Sequence, residues 1–229
     1  MEISAETAEA AAAAERGGAH RIELCADLQR GGLTPSEVLM RRTRGLVQVP
    51  VFAMIRPRAG NFVYSSDEIE QMRRGIAEAK RLGMNGVVLG VLTTQRQVDE
   101  ERTRELVHLA KPLPTTFHRA FDEVADLAAA LEQVIETGAT RILTSGGALS
   151  APAGVSTLAR LVAAAKERII VLPGGGLNAS NVLQVARQTG ARELHSGLGS
   201  VLAYGQEDYQ AFATEVRKLV GVLAASSNH

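Results

Sequence analysis

The chain has 229 residues, 45% of them hydrophobic and only 3% aromatic. That length suits one (β/α)8 barrel and leaves little for a second domain, while Val, Ile, Leu and Ala suffice to fill such a core. Lys+Arg and Asp+Glu balance at 25 each, and zero net charge argues against a nucleic-acid footprint while leaving room for a local cationic pocket.

Cys25 is the only cysteine, so no disulfide forms within the chain and a reduced, intracellular protein is expected. No uninterrupted apolar stretch reaches transmembrane length, and no membrane partner is expected. The opening MEISAETAEAAAAAERGG has no basic segment followed by an apolar one, unlike a signal peptide. The cytoplasm is the expected location.

In chain order, eight short apolar runs alternate with helical patterns. Strands are expected at 2–4, 21–25, 50–56, 86–91, 115–119, 141–144, 169–172 and 193–196. Several are continuously apolar, as parallel strands covered on both faces require. Helices are expected between them. The Ala/Glu segment 5–16 stops at Gly17-Gly18, and 65–82 opens on the acidic turn SSDEIE and stops at Gly83. Segment 125–137 stops at Gly138, and 181–188 ends before Gly190. Parallel strands need crossover helices, so the series predicts an α/β fold, a single (β/α)8 TIM-type barrel over 1–223. An open doubly wound sheet is the alternative. Residues 224–229 are expected to be a disordered C-terminal tail.

In such barrels the site lies where the strands end. The segment RIELCADLQRGGLTP (21–35) places Glu23 and Cys25 two apart, on one side of a strand. Glu23 reads as an acid–base group, or as half of a structural ion pair with Arg56 or His118. Cys25 reads as a ligand, or as a small buried hydrophobe. In IRPRAGNFVYS (55–65), Arg56 and Arg58 flank Pro57 and read as an anion clamp. The alternative has one arginine neutralising Glu23 and the other in solvent. In TTFHRAFD (115–122), His118, Arg119 and Asp122 suit proton transfer and anion binding, or simply hold their loop.

Further along, Thr144, Ser145, Gly146 and Gly147 follow the sixth strand and add hydroxyl and N–H donors. In LPGGGLNASN (172–181), Gly174, Gly175 and Gly176 let backbone N–H groups approach a ligand, after the strand where barrels commonly bind phosphate. His195 and Ser196 close ELHSGLGS at the end of the eighth strand, and no G-x-S-x-G elbow supports a serine nucleophile there. His20, His108 and His229 lie away from strand ends, and DEERTRE (99–105) reads as a solvated helix face.

With these segments in hand, the chain resembles the CutC family, named for copper homeostasis. The matching motifs are RIELCA with GGLTPS, IRPRAGNFVYS, TFHRAFD, RILTSGG, LPGGGL and the His195-Ser196 pair. They run in order over about residues 2–200. The resemblance implies a TIM-like barrel, a homo-oligomer and copper handling in the cytosol. Many relatives carry a cysteine in the first strand, in a segment like M-E-V-C, where this chain has Ser4. The family's two-cysteine site is therefore incomplete, and Cys25 is left as the metal ligand, with Met54, His118 or His195 as helpers. Soft thiolates select Cu(I), and Ser4 is a hard oxygen. The resemblance also implies that a stretch after the eighth strand is shorter than in long relatives, altering the lid or the oligomer contact.

Two functions follow. The resemblance implies a cytoplasmic copper-homeostasis protein, Cu(I) being the metal concerned. The residues themselves imply an enzyme for a small anionic or phosphorylated metabolite, with Glu23, His118, His195 and Asp122 as acid–base candidates. Arg56, Arg58, Arg119, Ser145, Gly174, Gly175, Gly176 and Ser196 would bind the anion. A pure interaction scaffold fits poorly with so many polar strand ends. No organic cofactor is required, and a homodimer or higher homo-oligomer is expected.

Overall fold

A computed structural model describes residues 1–198 and 208–226. Eight strands are present, β1 (Glu2–Ala5), β2 (Arg21–Leu24), β3 (Val51–Met54), β4 (Gly86–Leu89), β5 (Thr115–Phe117), β6 (Arg141–Thr144), β7 (Ile170–Pro173) and β8 (His195–Ser196). The helices are α1 (Ala8–Arg16), α2 (Glu37–Leu46), α3 (Ser66–Arg81), α4 (Glu100–Ala110), α5 (Leu127–Thr137), α6 (Val155–Ala165), α7 (Val182–Thr189) and α8 (Tyr209–Ser226). Two short 3₁₀ turns lie at Leu28–Arg30 and Arg119–Glu123.

All strand pairs are parallel, and the sheet order β7-β6-β5-β4-β3-β2-β1-β8 gives a nearly closed barrel ringed by helices. Among the described residues no ladder joins β7 to β8. The Ser196 hydroxyl crosses that seam to the Leu177 carbonyl at 2.6 Å. No helix among the described residues is long and apolar enough to cross a membrane.

Several elements are shorter than their apolar runs. Helix α1 begins at Ala8 because Ala5 still belongs to β1 and the Thr7 side chain caps the first turn. The third and fifth strands stop before Arg56 and His118, whose backbones turn into loops. At the C-terminus, α8 continues through Ser226, so residues 224–226, expected in the tail, are helical. Residues 227–229 lie outside the described residues, as do Gly199 and Ser200 of the eighth-strand motif and the stretch up to 207.

Alternation along the strands divides the core in two. Ile3, Ile22, Leu24, Val51, Ala53 and Val87 point outward and pack under the helices in one continuous cluster. Phe52, Met54 and Val88 point inward with Cys25 as a smaller cluster. Polar interior positions follow from the same register, since Glu2 sits opposite Arg21 and His195, and Ser4 opposite Glu23.

Small residues set two close approaches. Gly17 has an ordinary helical φ of −76°, and its requirement is space, because a Cβ there would sit 2.6 Å from the Val216 Cβ on α8. Gly86 faces the Phe52 ring, and a Cβ there would lie 2.6 Å from three ring carbons. Two guanidiniums lie against the ring, Arg21 at 4.9 Å and Arg141 at 5.5 Å from its centroid. Gly86→Ala must displace it, and we expect a loss of about 1–3 kcal/mol in urea unfolding. An unchanged midpoint would show that the ring moves freely.

Candidate functional site

The C-terminal ends of the strands surround a cavity of about 450 Å³. Its walls come from Ser4 on β1, Glu23 on β2, Met54 and Arg56 at the end of β3, His118 and Arg119 after β5, and Leu143 on β6. The loop 175–178 after β7 and residues 195–198 complete it.

One wall is a chain of buried hydrogen bonds. His195 Nδ1 lies 2.7 Å from Glu2 Oε1, and its Nε2 lies 3.0 Å from Ser4 Oγ. The Ser4 hydroxyl donates to Glu23 Oε2 at 2.9 Å. Below, Arg21 grips the other oxygen of Glu2 and donates to Glu193 at 2.7 Å, and Arg141 donates to the same Glu193 at 2.9 Å. Burial opposes the charge on Glu2, but the bonds from His195 and Arg21 outweigh it and bring its carboxyl down to about 2. Burial pushes Glu23 the other way, upward. Burial also works against a charged His195, yet the negative charges of Glu23 and Glu2 hold its imidazole above the usual range. An imidazolium donating from both nitrogens accounts for both of its contacts.

Glu23 Oε1 is buried and has no partner among the described residues. An unmatched buried polar atom costs about 1–3 kcal/mol, so the site holds an acceptor that its own residues leave unsatisfied.

Across the cavity, His118 presents the complementary case. The Ala120 N–H donates to its Nδ1 at 3.2 Å, so the neutral ring carries its proton on Nε2, and that atom is also buried without a partner among the described residues. Burial, and then the Arg56 charge, bring its pKa down to about 3. Gly90 leaves room for the ring, as a Cβ there would meet Nδ1 at 2.6 Å.

The arginines separate by role. Arg56 lines the cavity, but it does not pair with Glu23. Its Nη1 donates to the Arg30 carbonyl at 3.0 Å and its Nη2 to the Gly60 carbonyl at 2.9 Å, while the guanidinium stacks 4.7 Å from the Phe62 centroid. Arg58, expected beside it as a clamp, turns away to Glu68 at 2.6 Å and to the Val63 carbonyl at 2.7 Å. Glu68 also closes the capping box of α3 with Ser65, which is why that carboxylate is fixed there. Arg119 stays in the cavity. Asp122 fixes its Nε at 2.8 Å and Ser145 its Nη2 at 2.9 Å, leaving Nη1 without a partner among the described residues.

Other expected residues support rather than line the cavity. Asp122 accepts from Thr144, from the Ser145 N–H and hydroxyl, and from the Gly147 N–H at 3.0 Å. It organises two loops and does not line the cavity, and Ser145 is part of the same scaffold. The Gly174 N–H is spent on the Thr144 carbonyl at 2.9 Å, so it is no anion donor. The Gly175 and Gly176 N–H groups meet no acceptor among the described residues, and both line the cavity. Gly175 has φ +98°, and its α-carbon passes close beneath the Arg119 guanidinium. Ser196 lines the cavity with its hydroxyl committed to Leu177.

Cys25 sits outside the cavity lining. It is fully buried with Phe52, Met54 and Val88, its Sγ 3.8 Å from the Ala5 carbonyl. Burial pushes its thiol well up, and the charges of Glu23 and Glu6 push it further. This environment opposes the thiolate that binds metal. Glu2, Glu23 and His195 bring one donor atom each within 4.8 Å of one another, close enough to share an ion. These are oxygen and nitrogen donors, unlike the sulfur that Cu(I) selects. His195 and Glu2 are already committed to each other, and Glu2 also to Arg21.

Sequence reasoning missed Glu2, which orients His195. Its signal was charge at the start of a strand whose register partner, Arg21, is opposite in sign. Asn178 and Phe62 also line the cavity; they fall within LPGGGLNASN and IRPRAGNFVYS, where the glycines and arginines draw the attention.

The fold and site define a (β/α)8 barrel with a polar, partly buried pocket at the strand C-termini. The CutC family profile matches residues 1–200, and the chain belongs to that family. The human protein named copper homeostasis protein cutC homolog is 45% identical over 207 residues, covering 90% of this chain and 76% of the relative. A CutC family protein of Xanthomonas campestris pv. campestris is 48% identical over 204 residues, 89% of this chain and 85% of that one. The solved structure of CutC from Streptococcus agalactiae superposes with a TM-score of 0.81 at 32% identity, covering 85% of this chain and 96% of that one.

His118 gives a pH signature of folding. The native ring takes a proton only near pH 3, whereas an unfolded chain's does so near 6.5. Between these values the unfolded state binds more protons, so stability falls as pH drops from about 6.5 toward 3. His118→Asn is expected to flatten that fall in urea midpoints measured across the window. Parallel pH dependence in both proteins would rule the assignment out.

Proposed function

We propose that this chain takes part in copper homeostasis, the role its relatives are named for, by acting on a small anionic molecule rather than by chelating Cu(I). The observation that carries this reading is a set of buried atoms without partners among the described residues, Glu23 Oε1, His118 Nε2 and Arg56 Nε, in one cavity with Arg119. Acceptor, donor and cation at separate points of a small cavity suit a polar ligand with a charged end. Arg119 with the Gly175 and Gly176 N–H groups holds that end, in the loop position where barrels commonly bind phosphate. Glu23 is the acid–base group, and Ser4, His195 and Glu2 orient it. The cytoplasm and a homodimer go with this proposal on the strength of the family resemblance.

The donor set does not fit Cu(I). The chain has one thiol, it is buried at a carbonyl oxygen, and a serine stands where many relatives carry the second cysteine.

Inorganic phosphate is expected to bind and to compete with larger anions. A lost charge-assisted contact is worth about 1.5–3 kcal/mol, so Arg119→Gln should weaken binding about tenfold or more by calorimetry. Equal affinity in the variant would remove Arg119 from the site. In anaerobic competition with a coloured Cu(I) chelator, the reduced protein and Cys25→Ser should behave alike. Stoichiometric Cu(I) uptake that disappears in Cys25→Ser would overturn the reading.

A further inference from the structure

The reaction class can be read from how two of the unsatisfied atoms, Glu23 Oε1 and His118 Nε2, differ. Glu23 is a carboxylate whose one oxygen is tied to Ser4 and whose other oxygen is free to take a proton. His118 is a neutral imidazole whose tautomer is fixed by the Ala120 N–H, so it donates a hydrogen bond without bringing a charge. A carbon acid beside a carbonyl satisfies both, offering its C–H to one and its oxygen to the other. A simple hydroxyl would satisfy both atoms too, but it would give no reason for a base raised by burial opposite an uncharged donor. Environments that push an acid and a base apart in this way mark proton-transfer sites, and a carboxylate with a neutral histidine is a known arrangement for moving a proton next to a carbonyl.

We propose that the cavity catalyses enolisation of a small phosphorylated hydroxycarbonyl compound, with Glu23 as the base and His118 as the donor to the carbonyl oxygen. The proposal rests on the acid–base, anion-binding reading above and names its substrate class. Glu23 Oε1 removes the proton from the carbon next to the carbonyl. The C–H pair becomes the C=C bond, and the carbonyl π pair moves onto oxygen, where the His118 Nε2–H stabilises it. Return of a proton from Glu23 to the same carbon restores the carbonyl compound, with its hydrogen exchanged. Every atom and electron is accounted for with no co-reactant. The anionic end rests against Arg119 and the Gly175 and Gly176 N–H groups. A cavity of about 450 Å³ admits a molecule of this size. Ser4 and His195 are positioning residues, holding Glu23 Oε2 so that Oε1 is the oxygen left for substrate.

The test is hydrogen exchange of the full chain in D2O, followed by proton NMR, with dihydroxyacetone phosphate and ribulose 5-phosphate as probes. Glycerol 2-phosphate, which lacks a carbonyl, serves as control, and binding of inorganic phosphate is measured in parallel. We expect loss of the signal beside the carbonyl well above the buffer rate for at least one probe, and none for the control. Glu23→Gln should reduce that rate by about a hundredfold or more. Phosphate binding retained in this variant shows that it has folded. Phosphate binding without exchange of either probe overturns enolisation and leaves the anion-binding reading standing. Failure to bind phosphate or either probe overturns both. Exchange undiminished in a folded Glu23→Gln removes Glu23 as the base and the proposal with it.

Discussion

A line of charged side chains runs up the inside of the barrel, from Arg141 through Glu193, Arg21 and Glu2 to His195 and, by way of Ser4, to Glu23. Each would be expensive to bury alone, and removing one partner from such a pair costs about 3–5 kcal/mol. Together they neutralise and orient one another. The line begins at strand starts, where Phe52 packs against the two guanidiniums, and ends in the cavity on a carboxylate oxygen with no partner among the described residues. The lower part of the barrel thereby fixes the group at its mouth.

The opposite wall is built by loops. Arg56 ties the loop after β2 to the loop after β3 through backbone carbonyls, and its charge helps keep His118 neutral. Asp122 gathers the loops after β5 and β6 and holds Arg119 by one edge. The cavity thus keeps a cation edge at Arg119, while Arg56 gives both Nη atoms to backbone carbonyls and keeps a buried Nε without a partner among the described residues. A pocket of this kind discriminates by position, with acceptor, donor and cation fixed before any ligand arrives.

Membership of the CutC family and the chemistry of this chain's pocket point in different directions on copper. The relatives carry copper homeostasis in their names. Here the one thiol is sealed among Phe52, Met54 and Val88, and Ser4 serves as a hydrogen-bond link between His195 and Glu23. A hydroxyl suits that link because it donates to one neighbour while accepting from the other.

The sequence by itself determined a series of parallel βα units, with a closed barrel as its reading and an open doubly wound sheet as the alternative that closure of β8 onto β1 removed. Helix, glycine, strand and polar loop recur with periods that only parallel βα units satisfy, and alternation already placed Glu23 and His195 at strand ends. It also determined which residue types crowd that end, because apolar runs break off into charge and glycine. It could not decide which polar groups remain available, because that depends on partners far away in the chain. Arg58 is consumed by Glu68 because a helix cap fixes that carboxylate, and Asp122 is consumed by hydroxyl and amide groups 22–25 residues away. Cys25 shares a strand face with Glu23, yet it ends in an apolar cluster because the chain turns immediately after β2. Glu2 became visible only when closure of β8 onto β1 set His195 beside it, 193 residues apart. Local pattern fixes the direction of a side chain, but only the closed barrel fixes what meets it there.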